Sequence, residues 1–266
     1  MQDTSHNQNL TSGKPFQPSR GGVFLPPAFR PEVHQSDHAQ PEQGQPFLEL
    51  QDVSVRRGGR RLLTGLTLTL AGGDSLRVLG PNGVGKSSFL RCVAGLCPPD
   101  SGLRRCRVKV GWLGHANALK PALSVEDNLR FPCALGGQEL SAIAQSLQQV
   151  GLGGMARQPV RLLSAGQKRR AALAGLLLTR APLWLLDEPA TGLDAQSVAL
   201  LGRLMQAHLA QGGALVTTSH VPLPLPPGRV LTLSAPATTE PVGPEAPRGE
   251  STLKQATDWS AWNAPT

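Results

Sequence analysis

The sequence predicts an α/β protein with a mixed sheet core and an antiparallel β edge. Three observations predict it. Two alternating apolar runs, Phe47–Val55 and Leu62–Leu70, read as half-exposed antiparallel strands. Two continuous apolar runs, Leu183–Leu186 and Ala214–Thr218, read as buried parallel strands. Between them lies a glycine-rich segment, Gly80 to Gly85, which follows a strand-like run and opens a helical one.

The elements follow in chain order. Residues 1–46 are rich in Gln, Pro, Ser and His, and residues 221–266 are again rich in Pro; the two ends hold 16 of the 24 prolines. Such segments bury too little apolar surface to offset the entropy of ordering, so disorder is expected over 1–46 and 234–266. The folded part is expected over 47–233. After the two alternating strands, further strands are predicted at Ser75–Leu79, Arg107–Leu113 and Arg229–Leu233. Helices are predicted at Lys86–Leu96, Ser141–Val150, Gly166–Leu178 and Asp194–Gln211. No internal repeat is visible, so one module of this kind is expected.

Composition narrows the function. The chain has 266 residues, 39% hydrophobic and 17% charged, which suits one globular domain with unstructured sequence attached. No run of about 18 apolar residues is present, and the N-terminus lacks the apolar centre of a secretion signal, so a cytosolic location is expected. Cys92, Cys97, Cys106 and Cys133 form no CxxC pair and are read as reduced thiols packed in the core. Net charge is +8, with basic clusters at Arg56-Arg57 and Arg60-Arg61, at Arg104 to Arg107, and at Lys168-Arg169-Arg170. Aromatics make up 4% and Tyr is absent, which leaves a base-stacking platform poorly supplied. The basic clusters are therefore read as contact with a membrane face, and no nucleic acid is expected.

Gly80-Pro81-Asn82-Gly83-Val84-Gly85-Lys86-Ser87-Ser88 fits the GxxxxGK[ST] phosphate loop. Its glycines allow successive N–H groups to turn inward beside a helix N-terminus, where the helix dipole favours anions. Lys86 is expected to reach the β- and γ-phosphates of ATP, and Ser87 to place its hydroxyl on Mg²⁺. Leu183 to Leu186 end in Asp187-Glu188, two carboxylates at a buried strand tip. Asp187 is placed to hold Mg²⁺ through its water shell, and Glu188 to act on the attacking water as general base or positioner.

Leu163-Ser164-Ala165-Gly166-Gln167 resembles the LSGGQ signature of ABC ATPases, with Ala165 in place of the first glycine. By itself Ser164 is also a good helix cap. Pro189 to Asp194 looks like the D-loop of that family, and Val216 to His220 like its switch histidine. The resemblance to ABC transporter ATPases covers roughly residues 47–233. It implies a P-loop NTPase fold of ABC type with a helical subdomain at about 116–163. It also implies that Ser164, Gly166, Gln167 and Asp194 face a nucleotide held by a second copy of the chain, and that His220 contacts the γ-phosphate. A narrower resemblance lies in Trp112 to Leu129 and Leu163 to Arg170, which look like the cytochrome c biogenesis, haem-exporter ATPase (CcmA) subfamily.

Two positions depart from the wider family. His115 stands where most ABC ATPases carry the Q-loop glutamine, which touches Mg²⁺ and the attacking water. Arg57 stands near the aromatic residue that usually stacks on adenine, and a guanidinium also stacks on a planar ring. The resemblance implies a homodimer of ATPase subunits sandwiching two ATP molecules on an integral membrane subunit (CcmB-like), with further cytochrome c maturation subunits. The expected place is peripheral, at the cytoplasmic face of the bacterial inner membrane, with the segment from His115 to Leu163 as the docking surface. Two alternatives stay open from the sequence: an ABC subunit for another substrate, and a soluble ABC ATPase acting on nucleic acid or ribosomes.

Overall fold

The computed structural model describes residues 45–57, 60–220 and 223–234, and the backbone of 253–255, all within one compact unit. The predicted disorder of 1–46 falls almost wholly outside the described residues.

The first sheet is antiparallel. Strand β1 (Leu48–Arg57) pairs on one side with β2 (Arg60–Leu70) and on the other with β4 (Ser101–Cys106). The second sheet is parallel in the order β5 (Val110–Leu113), β6 (Leu183–Asp187), β7 (Ala214–Thr218), β3 (Ser75–Leu79), β8 (Arg229–Thr232). A short strand β9 (Leu253–Gln255) pairs antiparallel with β8. It falls in the tail expected to be unstructured, so that expectation is corrected for these residues.

Side chains on a strand alternate between faces, and β6 and β7 use both. Leu183, Leu185, Ala214 and Val216 point to a core shared with the antiparallel sheet and helix α1 (Lys86–Ala94). Trp184, Leu186 and Leu215 point to a second core with α2 (Val125–Leu135), α3 (Ser141–Gln149), α4 (Ala165–Leu178) and α5 (Ala195–Ala210). Burial on both faces is why these strands read as continuous apolar runs. It also carries their C-terminal ends, and the loops after them, to one edge of the sheet, where ligands of open α/β sheets bind.

Two elements escape the sequence pattern. Strand β4 is not among the predicted strands; its sequence, Ser-Gly-Leu-Arg-Arg-Cys, has no apolar alternation, and its one strand partner is β1. The strand predicted from Arg107 begins only at Val110. Helix α2 carries Pro132 in its interior, which removes one helical hydrogen bond. Pro132 and Leu129 sit against Gly175 of α4, where a Cβ would lie 3.4 Å from Leu129 and 3.6 Å from Pro132. This close packing of two helices offsets the lost bond.

Candidate functional site

The glycine-rich segment forms a loop between β3 and α1. Gly85 caps α1 at φ +116, a backbone that L side chains rarely adopt, and a Cβ there would press on Leu62 at 2.9 Å. The first turn of α1 contains no acidic residue, and no side chain caps it. Its unpaired N–H groups and dipole end are thus available to an anion.

A cleft of about 630 Å³ opens over this helix start. It is lined from the loop by Asn82, Gly83, Gly85, Lys86, Ser87 and Ser88, from the β6 tip by Asp187 and Glu188, and by Arg57, His115, Thr191 and His220. The two motifs read as phosphate loop and acidic tip therefore share one cavity, although about a hundred residues separate them. Gly80, Pro81 and Val84 support the loop without lining the cleft: the carbonyls of Gly80 and Pro81 accept from Lys86 Nζ at 2.7 and 3.1 Å. Lys86 is 8% exposed.

Lys86 Nζ also lies 3.1 Å from His220 Nε2, and His220 Nε2 lies 3.2 Å from Glu188 Oε1. One ring nitrogen cannot serve both neighbours. Accepting from the Lys86 ammonium requires the proton on Nδ1. That tautomer leaves Glu188 Oε1 without a donor, and Oε1 is buried and makes no hydrogen bond among the described residues. The other oxygen, Oε2, accepts from the His220 backbone N–H at 3.2 Å. A buried acceptor facing a polar cleft is a place for a water proton.

Thr218 was not singled out from the sequence. Its hydroxyl donates to Asp187 Oδ1 at 2.8 Å and accepts the Glu188 N–H at 3.0 Å, so one fully buried side chain aligns both carboxylate residues. Its place at the end of a buried strand, two residues before His220, was the only available signal. Arg57 Nη1 donates to Ser88 Oγ at 3.0 Å, which ties the antiparallel sheet to α1 at the mouth of the cleft. His115 lines the same cleft and is exposed.

Ser164, Gly166, Gln167 and Asp194 do not line the cleft. They lie at the starts of α4 and α5. Ser164 and Gln167 form a reciprocal capping box, with the Ser164 side chain accepting from Gln167 N at 3.2 Å and the Gln167 side chain accepting from Ser164 N at 2.8 Å. Asp194 caps α5 by accepting from Ser197 N at 2.8 Å, and its bonds with Ser197 hold the carboxyl below its ordinary pKa. The loop between them is close to α4: a Cβ on Gly166 would lie 3.4 Å from the Gly192 carbonyl.

The basic clusters mix side chains engaged in the fold with exposed ones. Arg169 is 3% exposed and bonds inside the protein, Arg104 bonds the Val93 carbonyl, Arg107 pairs with Glu49 at 3.1 Å, and Arg56 pairs with Asp100. These contacts are structural, while Arg57, Arg61 and Arg105 are exposed. All four cysteines are free thiols, and Cys97 is exposed rather than packed inside. No helix among the described residues is long and apolar enough to cross a membrane.

Residues 63–191 match the family model described as ABC transporter. The chain is 49% identical over 179 residues to the cytochrome c biogenesis ATP-binding export protein CcmA of Gluconobacter oxydans (strain 621H), covering 67% of this chain and 83% of that one. It is 43% identical over 189 residues to the protein of the same name from Paracoccus denitrificans (strain Pd 1222), covering 70% and 89%. Among solved structures, the ATP binding subunit of an ABC transporter superposes with a TM-score of 0.63 at 22% identity, over 72% of this chain and 88% of that one.

Proposed function

Because the chain belongs to the cytochrome c biogenesis family of ABC transporter ATP-binding proteins, we propose that it hydrolyses ATP for an export complex of the haem-handling, cytochrome c maturation type. The observation that carries the reading is the shared cleft: the phosphate loop with Lys86 and the acidic tip with Glu188 line the same cavity.

The steps follow from the side chains. The N–H groups at the start of α1 cradle the phosphates. Lys86 exchanges its loop carbonyls for β- and γ-phosphate oxygens. Glu188 Oε1, already buried and open, takes or orients the proton of the attacking water. His220 reaches the γ-phosphate from the end of β7. Arg57 lies at the cleft mouth, where it can stack on the base. Ser87 and Asp187 offer a hydroxyl and a carboxylate, hard oxygen donors that fit Mg²⁺ with phosphate oxygens and water completing its shell. That ion supplies charge neutralisation at the phosphates.

In this proposal Ser164, Gly166, Gln167 and Asp194 serve the nucleotide of a second copy, which is why they sit outside the cleft of their own chain. The homodimer works on a CcmB-like membrane subunit alongside further cytochrome c maturation subunits, at the cytoplasmic face of the inner membrane. The helical subdomain, about 116–163, faces the membrane partner. The exposure of Phe131 and Leu135 on α2 supports this. His115, in the loop between β5 and α2, then stands between the γ-phosphate and the docking face.

The test is phosphate release by the purified full chain. Lys86→Ala is expected to reduce turnover by a hundredfold or more, from the loss of about 3 kcal/mol of electrostatic stabilisation. Turnover equal to that of the parent would refute the assignment.

A further inference from the structure

We propose that Arg169 is a positioning residue for ATP hydrolysis: one buried guanidinium fixes the loop carrying His115 and the tip carrying Glu188 to the start of α4. The inference rests on the hydrolytic reading above and adds a residue to it. Arg169 Nη1 donates to the Gly114 carbonyl at 2.6 Å and to Asn117 Oδ1 at 3.1 Å. Nη2 donates to the carbonyls of Asp187 at 3.1 Å and Glu188 at 2.8 Å, and Nε donates to Pro189 at 3.0 Å. These contacts match the five N–H groups an arginine possesses.

The acceptors come from two loops far apart in sequence. Gly114 and Asn117 flank His115; Asp187, Glu188 and Pro189 form the acidic tip. Arg169 itself lies in the first turns of α4, five residues after Ser164. No carboxylate pairs with it among the described residues, although Asp187 and Glu188 lie near enough to oppose the fall in its pKa that burial causes. Burying a cation against neutral carbonyls is costly, and an apolar side chain would fill the same space at less cost. What an apolar side chain cannot do is hold five acceptors in one plane.

Glu188 shows why that plane matters. Its φ is +49, in the left-handed region that an ordinary side chain avoids, and such a residue stays there only when its surroundings hold it. Its N–H is held by Thr218, and its carbonyl accepts from Arg169 at 2.8 Å and from the Thr191 N–H at 3.2 Å. Losing the Arg169 bond leaves the carbonyl only the longer Thr191 contact, which lets the peptide relax and carries the carboxylate away from the water. A shift of about 1 Å in a catalytic group lowers rate on the order of a hundredfold.

The experiment compares Arg169→Lys with the parent full chain in three readouts: turnover number, affinity for a fluorescent ATP analogue, and melting temperature. A lysine keeps the charge but offers three donors from one point, so it cannot bridge both loops. The expected result is a turnover number lower by about ten- to a hundredfold, with nucleotide affinity within about twofold of the parent because the phosphate loop is untouched. Should Arg169→Lys not fold, Asn117→Ala decides, since it removes one acceptor and leaves the guanidinium: slower turnover at unchanged affinity supports the proposal, and parental turnover overturns it. Arg169→Lys turning over ATP like the parent overturns it, as does a loss of turnover that merely tracks falling affinity and melting temperature. A parent that hydrolyses no ATP overturns both this role and the reading beneath it, whereas an active parent with an equally active lysine variant overturns the role alone.

Discussion

Thr218 has a hydroxyl that serves two residues at once, donating to Asp187 and accepting from Glu188. Replacing it with valine keeps the shape and strands both partners in a buried place. Thr218→Val is expected to cost about 1–3 kcal/mol of stability, and to slow hydrolysis by tenfold or more because the Glu188 carboxylate loses its alignment. Denaturant unfolding and steady-state kinetics check this; a variant with parental values in both would show that the hydroxyl is not what aligns the tip. At this scale the sequence was informative where a motif fixes a residue at the end of an element. Lys86, Ser87, Asp187 and Glu188 stand together in the cleft because each sits at an element end whose type was readable. Arg169 and Thr218 were not legible, because their roles depend on which carbonyl or carboxylate the fold brings opposite them, and a basic triplet or a strand threonine looks the same either way.

Among the elements, helix α2 carries two hydrophobic side chains with opposite fates. Leu129 is 1% exposed and packs in the helical subdomain, whereas Phe131 is 75% exposed. Leu129→Ala is expected to lower stability by about 2–5 kcal/mol through lost burial and a cavity. Phe131→Ala is expected to leave stability within about 0.5 kcal/mol and yet weaken co-purification with the membrane partner. Equal effects of the two substitutions on melting temperature would contradict the packing described. The same helix shows the reach of sequence reasoning: Pro132 hid it, since its compensation is the glycine on α4 against which it rests. Strand β4 was hidden likewise, for it lacks apolar alternation and depends on β1.

Helix α5 is tied to the parallel sheet by His208, whose ring stacks on Trp184 at 3.9 Å with Nε2 near the carbonyls of Pro182 and Ala214. Burial pushes its pKa below the ordinary 6.5, and the two carbonyls oppose that shift only in part. The folded protein therefore resists protonating His208 while the unfolded chain accepts the proton. Stability from this group is complete above about pH 6.5 and declines as pH falls towards the lower folded-state pKa. Melting temperature is expected to drop on acidification through this window, and His208→Gln to flatten the drop. An identical pH profile in the variant would count against the assignment.

At the scale of the whole molecule, Ser164, Gly166, Gln167 and Asp194, at the starts of α4 and α5, do not line the cleft of their own chain. In the proposed function two copies, head to tail, bring these residues and the cleft to one nucleotide. In that proposal ATP stabilises the pair by binding across it. Glu188→Gln with ATP is expected to run in gel filtration at twice the mass of the chain and to return to the single mass when nucleotide is removed. A single mass under both conditions would argue for another use of the signature surface. The two-sheet architecture was readable from apolar patterning because both faces of β6 and β7 are covered. The proposed pairing of copies rests on resemblance, since no side chain in one chain records a partner.

The central claim is that one triphosphate is gripped by the loop of Lys86 and attacked beside Glu188. The most direct measurement is the identity of nucleotide retained after a single incubation with labelled ATP. Glu188→Gln should retain it as intact ATP, the parent should convert it to ADP, and Lys86→Ala should retain little of either. ADP formation by Glu188→Gln at the rate of the parent would contradict the account.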